Sequence, residues 1–257
     1  MIGFCPLASG SKGNAVYIGT KNTKILVDAG ISAKGIKERL ATLNVSIDDI
    51  DAILISHEHQ DHIQGLKVLA FKLGIPVFAN HETAKAICEH FHDCPKFKIF
   101  STGETFDFQD FEIQSFSIKH DAVDPVGFAI RSETAKIGIC TDLGFVTHPV
   151  VHHLMGCDIL YVEANHQPSM VHASSRPPIY KERVLGPCGH LSNEACGDLL
   201  AKVYHENIRS VYLAHLSTEC NTKEVALNVV GNVLQANKIS LSLQIAYQEI
   251  PSQATLF

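Results

Sequence analysis

Within six residues, from His57 to His62, this chain places four side chains able to bind metal ions: His57, His59, Asp61 and His62. They follow the apolar run Ala52-Ile53-Leu54-Ile55, which reads as a buried strand. A regular helix has 3.6 residues per turn, so it would spread these four positions around its barrel. A loop at the mouth of a strand can gather them. His57 and His59 can then reach one ion, and Asp61 and His62 a second beside it. Imidazole and carboxylate suit zinc, manganese or iron, and no nearby cysteine narrows the choice.

The surrounding sequence alternates strand and helix signals. Strand-like runs cover 2–8, 15–20 and 24–28, with Gly10, Lys12, Gly13 and Asn14 as turn residues between the first two. A helix follows, with Ser32 as N-cap and Ile36, Leu40 and Leu43 on one face. After the metal loop, Leu66, Leu69, Ala70 and Leu73 have the spacing of a second amphipathic helix. Val126, Phe128 and Ile130 alternate with Gly127, Ala129 and Arg131, which predicts a half-buried strand. Short strands over 136–140 and 158–162 lead to Asp142 and Glu163. Residues 165–189 read as a long irregular stretch. A helix then carries Cys196, Leu199, Leu200 and Val203, a strand over 210–214 leads to His215, and a last helix carries Val225, Val229 and Val233. Both halves mix strands with helices and no linker separates them. The expectation is α/β layers in a single domain spanning 1–257.

Composition sets the outer bounds. Of the 257 residues, 46% are apolar and 19% charged, which fits a packed globular chain rather than a disordered one. No apolar run approaches the roughly 20 residues of a membrane span, and the N-terminus lacks a secretory pattern. The net charge of −6 weighs against a broad electrostatic grip on nucleic acid. It leaves room for a local basic groove or a metal-centred phosphate site. The eight cysteines contain no C-x-x-C pair and read as reduced thiols, so a cytoplasmic location is expected. His81, His90, His92, His148, His152, His153 and His205 read as ordinary histidines, most of them exposed.

The His-x-His-x-Asp-His segment after a hydrophobic strand resembles the signature of the metallo-β-lactamase superfamily. That resemblance implies a four-layer αββα sandwich and three later ligands at strand ends. His120, Asp142 in Cys-Thr-Asp-Leu-Gly and His215 in Leu-Ala-His-Leu-Ser match them in order, type and setting. One divalent ion, zinc or manganese, would take His57, His59 and His120. A second would take Asp61, His62 and His215, with Asp142 bridging the two. Asp28 in Val-Asp-Ala-Gly and Asp121 would stand behind the ligands and orient imidazole N–H groups, with Glu163 also behind them. Related oxygen reductases of this fold have glutamate where this chain has His59. The antibiotic-hydrolysing enzymes have cysteine where it has Asp142. The bridging carboxylate points instead to phosphodiester or thioester hydrolysis.

Gly189-His190-Leu191-Ser192-Asn193 is similar to the Gly-His-Ser/Thr segment of the superfamily's phosphodiesterases. There a histidine helps protonate the leaving group, so His190 is the general-acid candidate. Leu-Ala-Ser-Gly-Ser at 7–11 with Gly13-Asn14, His120-Asp121-Ala122 with Asp124-Pro125-Val126-Gly127, and Glu163-Ala164-Asn165-His166 together resemble the YycJ/WalJ group. Its members are described as 5′-to-3′ exonucleases on double-stranded DNA linked to mismatch repair. Gln167 departs from the aspartate usual after the Asn-His pair. The resemblance implies that two cations turn a bridging water into hydroxide, which Asp61 orients. Ser11, Asn14, His166, Arg176 and Lys181 are the candidate substrate contacts. The rival reading is a small-molecule hydrolase for a thioester, lactone or cyclic phosphodiester on the same metal pair.

Overall fold

The apolar runs before the metal loop become neighbouring strands. In the computed structural model, which describes residues 1–257, β1 (Gly3–Ala8), β2 (Ala15–Gly19) and β3 (Lys24–Val27) form an antiparallel meander. Helix α1 (Ala33–Thr42) crosses to β4 (Ala52–Leu54), which pairs with β3 in parallel. The short helices α2 (Gln60–Ile63) and α3 (Leu66–Leu69) lead to β5 (Val77–Asn80). Helix α4 (His81–Phe91) leads to β6 (Phe97–Phe100), and both strands extend the sheet in parallel.

The second sheet repeats this plan. Strands β7 (Thr105–Phe108), β8 (Phe111–Ser117), β9 (Val126–Arg131) and β10 (Lys136–Cys140) are antiparallel. After α5 (His148–Leu154), β11 (Ile159–Glu163) continues in parallel. Helices α6 (Pro168–Ala173), α7 (Pro178–Leu185) and α8 (Asn193–Val203) precede β12 (Ser210–Ala214). Helix α9 (Lys223–Ala236) precedes the edge strand β13 (Leu243–Ile245).

The inner parallel strands β4, β5, β11 and β12 are buried on both faces, as helix-covered parallel sheets require. In β12, Tyr212 and Ala214 join the cluster between the sheets, while Val211 and Leu213 join the cluster under α5, α8 and α9. In β4, Leu54 faces the other sheet and Ile53 faces Ile36, Leu40 and Leu66 of the helices. Phe4, Ile25 and Leu54 from one sheet meet Phe111, Phe128 and Tyr161 from the other. The result is the expected four-layer αββα sandwich. Ser32, Asn80 and Ser192 each cap a helix by accepting a backbone N–H three residues on. No helix is long and apolar enough to cross a membrane.

Several local expectations change. The helix over 66–73 breaks after Leu69, and Leu73 is exposed. Gly65 N–H is held by the Ala29 carbonyl at one end, and Gly74 turns the chain with φ +74° at the other. Strand β9 is buried on both faces rather than one, because α5 covers Ala129. The stretch 165–189 contains α6 and α7, each started by a proline in its first turn. His153 stacks on Phe116 at 5.0 Å, and His205 bonds the Cys157 carbonyl, so both are half-buried. Cys88 and Cys94 are joined in a disulfide rather than free. After α4, His92 adopts the left-handed region (φ 55°), which reverses the chain and returns Cys94 to Cys88.

The metal loop is clamped by the segment after β3. Ala29 N–H donates to the His62 carbonyl, Asn14 N–H to the Asp61 carbonyl, and Gly65 N–H to the Ala29 carbonyl. The chains approach so closely that a Cβ on Gly30 would lie 1.6 Å from the Asp61 carbonyl oxygen. Backbone cannot swing aside as a side chain does. Gly30→Ala is therefore expected to displace the loop and cost about 1–3 kcal/mol of stability. Thermal unfolding with metal analysis checks this; unchanged stability and metal content would count against the clamp.

Candidate metal centre

The site forms where strand ends from both sheets converge. β4 leads to His57 and His59 in a loop and, contrary to the all-loop expectation, to Asp61 and His62 on the single turn of α2; β8 leads to His120, β10 to Asp142 and β12 to His215. Two of these ends, and that of β3, are conformationally unusual. Asp28, Asp142 and His215 all have φ between 53° and 60°, a region costly for residues with a side chain.

The ligand atoms of His57, His59 and His120 lie within 4.8 Å of one another, as do those of Asp61, His62 and His215. Asp142 stands between the sets. Its Oδ2 is 3.4 Å from His62 Nε2 and its Oδ1 4.0 Å from His120 Nε2. Each imidazole has one nitrogen engaged from behind and the other facing the centre. His62 Nδ1 bonds Asp28 Oδ2 at 2.8 Å, His57 Nδ1 bonds Ser56 Oγ at 3.0 Å, and His120 Nδ1 faces the Gly189 carbonyl at 3.2 Å. His215 Nδ1 bonds Glu163 Oε1 at 2.9 Å. His59 differs, presenting Nδ1 3.1 Å from His57 Nε2.

The residues present fit divalent cations. Asp142 Oδ2 and His215 Nε2 are buried without any hydrogen-bond partner. Buried polar atoms of this kind are rare, and an ion supplies the missing partner. Without metal, protons compensate instead. Burial disfavours charge on His62 and His215, but Asp142, with Asp28 for His62, outweighs it and holds both well above their ordinary values. Burial and the neighbouring His62 push His57 well below its own. Asp142 is held well below the carboxylate range against its burial, chiefly by His215 and His62.

Glu163 is fully buried behind the centre. Its Oε2 accepts from Leu143 N–H (2.9 Å) and Leu191 N–H (3.1 Å), and its Oε1 from His190 (2.8 Å) and His215. With four donors satisfied, it has no free direction for a metal, although it lies in a group with Asp142, His190 and His215. Burial works to raise its pKa, but the two imidazoles prevail and bring it down to about 2. Burial also opposes charge on His190, and Glu163 overcomes it, raising that imidazole above its ordinary value.

The other sequence candidates divide. Asp28 bonds His62 directly and reaches His57 through Ser56, whose N–H and Oγ it also accepts. Asp121 does not orient His120. Its Oδ1 lies 3.3 Å from His120 Nε2, on the side facing the centre, and its Oδ2 pairs with Arg183. The Gly189 carbonyl takes the orienting position. Asn14 is buried beside the ligands, its Nδ2 3.1 Å from His62 Nε2, rather than at a substrate surface. Ser11 lines the cleft. His166 is buried, with Nδ1 unpartnered and its carbonyl accepting Asn193 N–H, so it has no access to a substrate. Arg176 pairs with Glu219, and Lys181 donates to the His172 carbonyl. Neither lines the cavity of about 210 Å³ over the centre; Arg183 and Tyr180 of α7 do, with His190. Gln167 bridges Glu194 and Asn193.

Sequence reasoning missed Ser9, Ser56 and Tyr180. Ser9 Oγ accepts the His215 N–H at 2.8 Å and the Tyr161 hydroxyl at 2.7 Å.

Fold and centre define a metal-dependent hydrolase. Residues 23–216 match the model of the beta-lactamase superfamily domain, and the chain belongs to that superfamily, in its YycJ/WalJ group. It is 39% identical over 235 residues to exodeoxyribonuclease YycJ of Bacillus anthracis, covering 90% of this chain and 89% of that protein. It is 37% identical over 254 residues to exodeoxyribonuclease WalJ of Streptococcus pneumoniae serotype 2, covering 97% and 94%. The crystal structure of the metallo-beta-lactamase fold protein YhfI from Bacillus subtilis superposes with a TM-score of 0.71 at 16% identity, covering 99% of this chain and 100% of that one. At that identity the likeness concerns the fold.

Proposed function

We propose that this protein is a two-metal phosphodiesterase that degrades double-stranded DNA from its 5′ ends during mismatch repair. The observation that carries the reading is two ligand triads meeting at Asp142, with His190 in the cleft beside them. The similarity to exodeoxyribonucleases YycJ and WalJ supports DNA as the substrate. Resemblance to their group supports duplex preference, 5′-to-3′ direction and the link to repair.

His57, His59 and His120 would hold one zinc or manganese ion, and Asp61, His62 and His215 the other, with Asp142 shared. When bound, two such cations polarise a phosphate oxygen and make water nucleophilic at neutral pH. The protein's own groups do the rest. Asp61 orients the attacking water. Asp28, Ser56, Glu163 and the Gly189 carbonyl fix the imidazoles so that the correct nitrogen faces inward. Glu163 accepts a hydrogen bond from His190 Nδ1–H and favours the imidazolium, whose Nε2 proton goes to the departing sugar oxygen. His190→Ala is expected to lower kcat by about 10²–10⁴-fold with metal content unchanged. Loss of metal in that variant would reassign His190 to the metal centre.

Arg183 is the cation that stands over the centre, and a phosphate entering the cleft would compete with Asp121 for it. Arg183→Ala is expected to weaken DNA binding and reduce the salt slope of log K by about 1. Arg176→Ala, whose guanidinium is committed to Glu219, serves as the comparison. Equal salt slopes in the two variants would remove Arg183 from the DNA path.

The cytoplasm, where the DNA lies, is the proposed place of action, and its reducing poise would open the Cys88–Cys94 bond. The deciding experiment is hydrolysis of end-labelled duplex DNA, single-stranded DNA and RNA with Mn²⁺ or Zn²⁺. Stepwise loss of duplex from 5′ ends is expected. No cleavage of any nucleic acid by protein holding two ions would favour a small-molecule hydrolase.

A further inference from the structure

Beside the metal cleft lies a second cavity, of about 400 Å³, which the proposed chemistry leaves unused. It sits behind the loop after β12. Leu216, Ile245 and Ala246 give it an apolar floor, and Tyr247 and Lys223 form one end. Ser217 lines both this cavity and the metal cleft. Ser9 stands in its wall and accepts the His215 N–H. The cavity therefore begins within two residues of a proposed metal ligand, no more than about 7 Å of extended backbone away. Adjacent nucleotides of a strand are separated by a similar distance.

The chemistry of the lining is selective. Lys223 and Glu224 are its only charged residues and cancel, so the space does not attract a free phosphate. An apolar floor with one aromatic ring suits a flat heterocycle, and every base offers a π-face for stacking. Lys223 Nζ sits over the Tyr247 ring, 4.4 Å from its centroid, so a base stacking on that face would displace the ammonium and leave it to meet the joined phosphate. The Tyr247 backbone is fixed independently of its ring, since its carbonyl accepts Ser9 N–H at 3.0 Å and its N–H donates to Ser252 Oγ at 2.9 Å. The ring, half-buried against the core, therefore keeps its place when a ligand replaces Lys223 on its face.

We infer that this cavity is a nucleobase subsite, which receives the base of the nucleotide next to the bond being cut and holds it against Tyr247. The inference rests on the nuclease reading above. It makes the terminal base, and not only the sugar–phosphate backbone, part of what the enzyme recognises.

The test compares duplexes identical except that the 5′-terminal nucleotide carries a base or is abasic. Wild-type protein is expected to degrade the abasic end about tenfold less efficiently in kcat/KM, mainly through KM. Tyr247→Ala and the cavity-filling Thr218→Trp are expected to process both ends at the slower rate, with metal content matching wild type. Equal rates on both ends in the wild type would overturn the subsite and leave the nuclease reading standing, and this arm needs no variant. Full discrimination retained by Tyr247→Ala would also overturn it. If the wild type cut neither duplex yet hydrolysed a small nitrophenyl phosphodiester, the nuclease reading would fall, and the subsite with it.

Discussion

Asp142→Ala protein is expected to bind less than one equivalent of metal and to lose at least about 10³-fold in kcat/KM on duplex DNA. The expectation follows from position. Asp142 touches both ligand triads, and it is the one carboxylate in the centre buried with an unpartnered oxygen. Removing a group that merely orients a ligand typically costs 10–100-fold, and loss of a shared ligand exceeds that. Asp142→Asn keeps the shape and removes the charge, so it separates loss of ligation from collapse of the pocket. Both variants should share the defect. Metal analysis after gel filtration, together with DNA hydrolysis, gives the answer. Two retained ions with near-normal turnover in either variant would remove Asp142 from the centre.

The second large effect is on the fold. Glu163→Ala leaves the buried N–H groups of Leu143 and Leu191 without acceptors and frees the imidazoles of His190 and His215. Breaking a buried charged network by removing one partner costs about 3–5 kcal/mol. In a chain of this size that corresponds to roughly 10 °C or more in Tm. Glu163→Gln should recover part of the stability, because its remaining oxygen still accepts, but not the activity. Thermal unfolding of the metal-free proteins isolates the effect from ligation. A Tm within a degree or two of wild type for Glu163→Ala would show that this carboxylate is not the keystone its bonds suggest.

What the sequence disclosed followed from how local the signal was. Four ligating residues within a six-residue window need no tertiary knowledge to be noticed. His120, Asp142 and His215 were found because each follows an apolar strand and matches a known order of ligands. Residues such as Ser56, Ser9 and the Gly189 carbonyl were invisible. They contribute only hydrogen bonds, in the case of Ser9 to a residue 206 positions away. Arg176, Lys181 and Arg183 form one basic cluster in the sequence, which does not show which of them meets the cleft. In α7, Tyr180, Arg183 and Val184 share a face at i, i+3, i+4 spacing, and only the folded helix shows that this face meets the cleft. Asp121 was placed behind His120 because the sequence does not show its partner Arg183, which holds it on the cleft side instead. The left-handed backbone at Asp28, Asp142 and His215 carries no compositional mark, since none is glycine.

The two triads are divided between the sheets in the same way. His57 and His59 come from the loop after β4, and their third member, His120, from the loop after β8. Asp61 and His62 come from α2, directly after that loop, and His215 from the end of β12. Neither half of the chain owns a complete triad. A cut in the turn between β6 and β7 would therefore yield two fragments that each lack a site, and the ions would act as rivets across the seam. Reassembly of such halves should then depend on metal, which makes the reaction centre also the fastener of the sandwich.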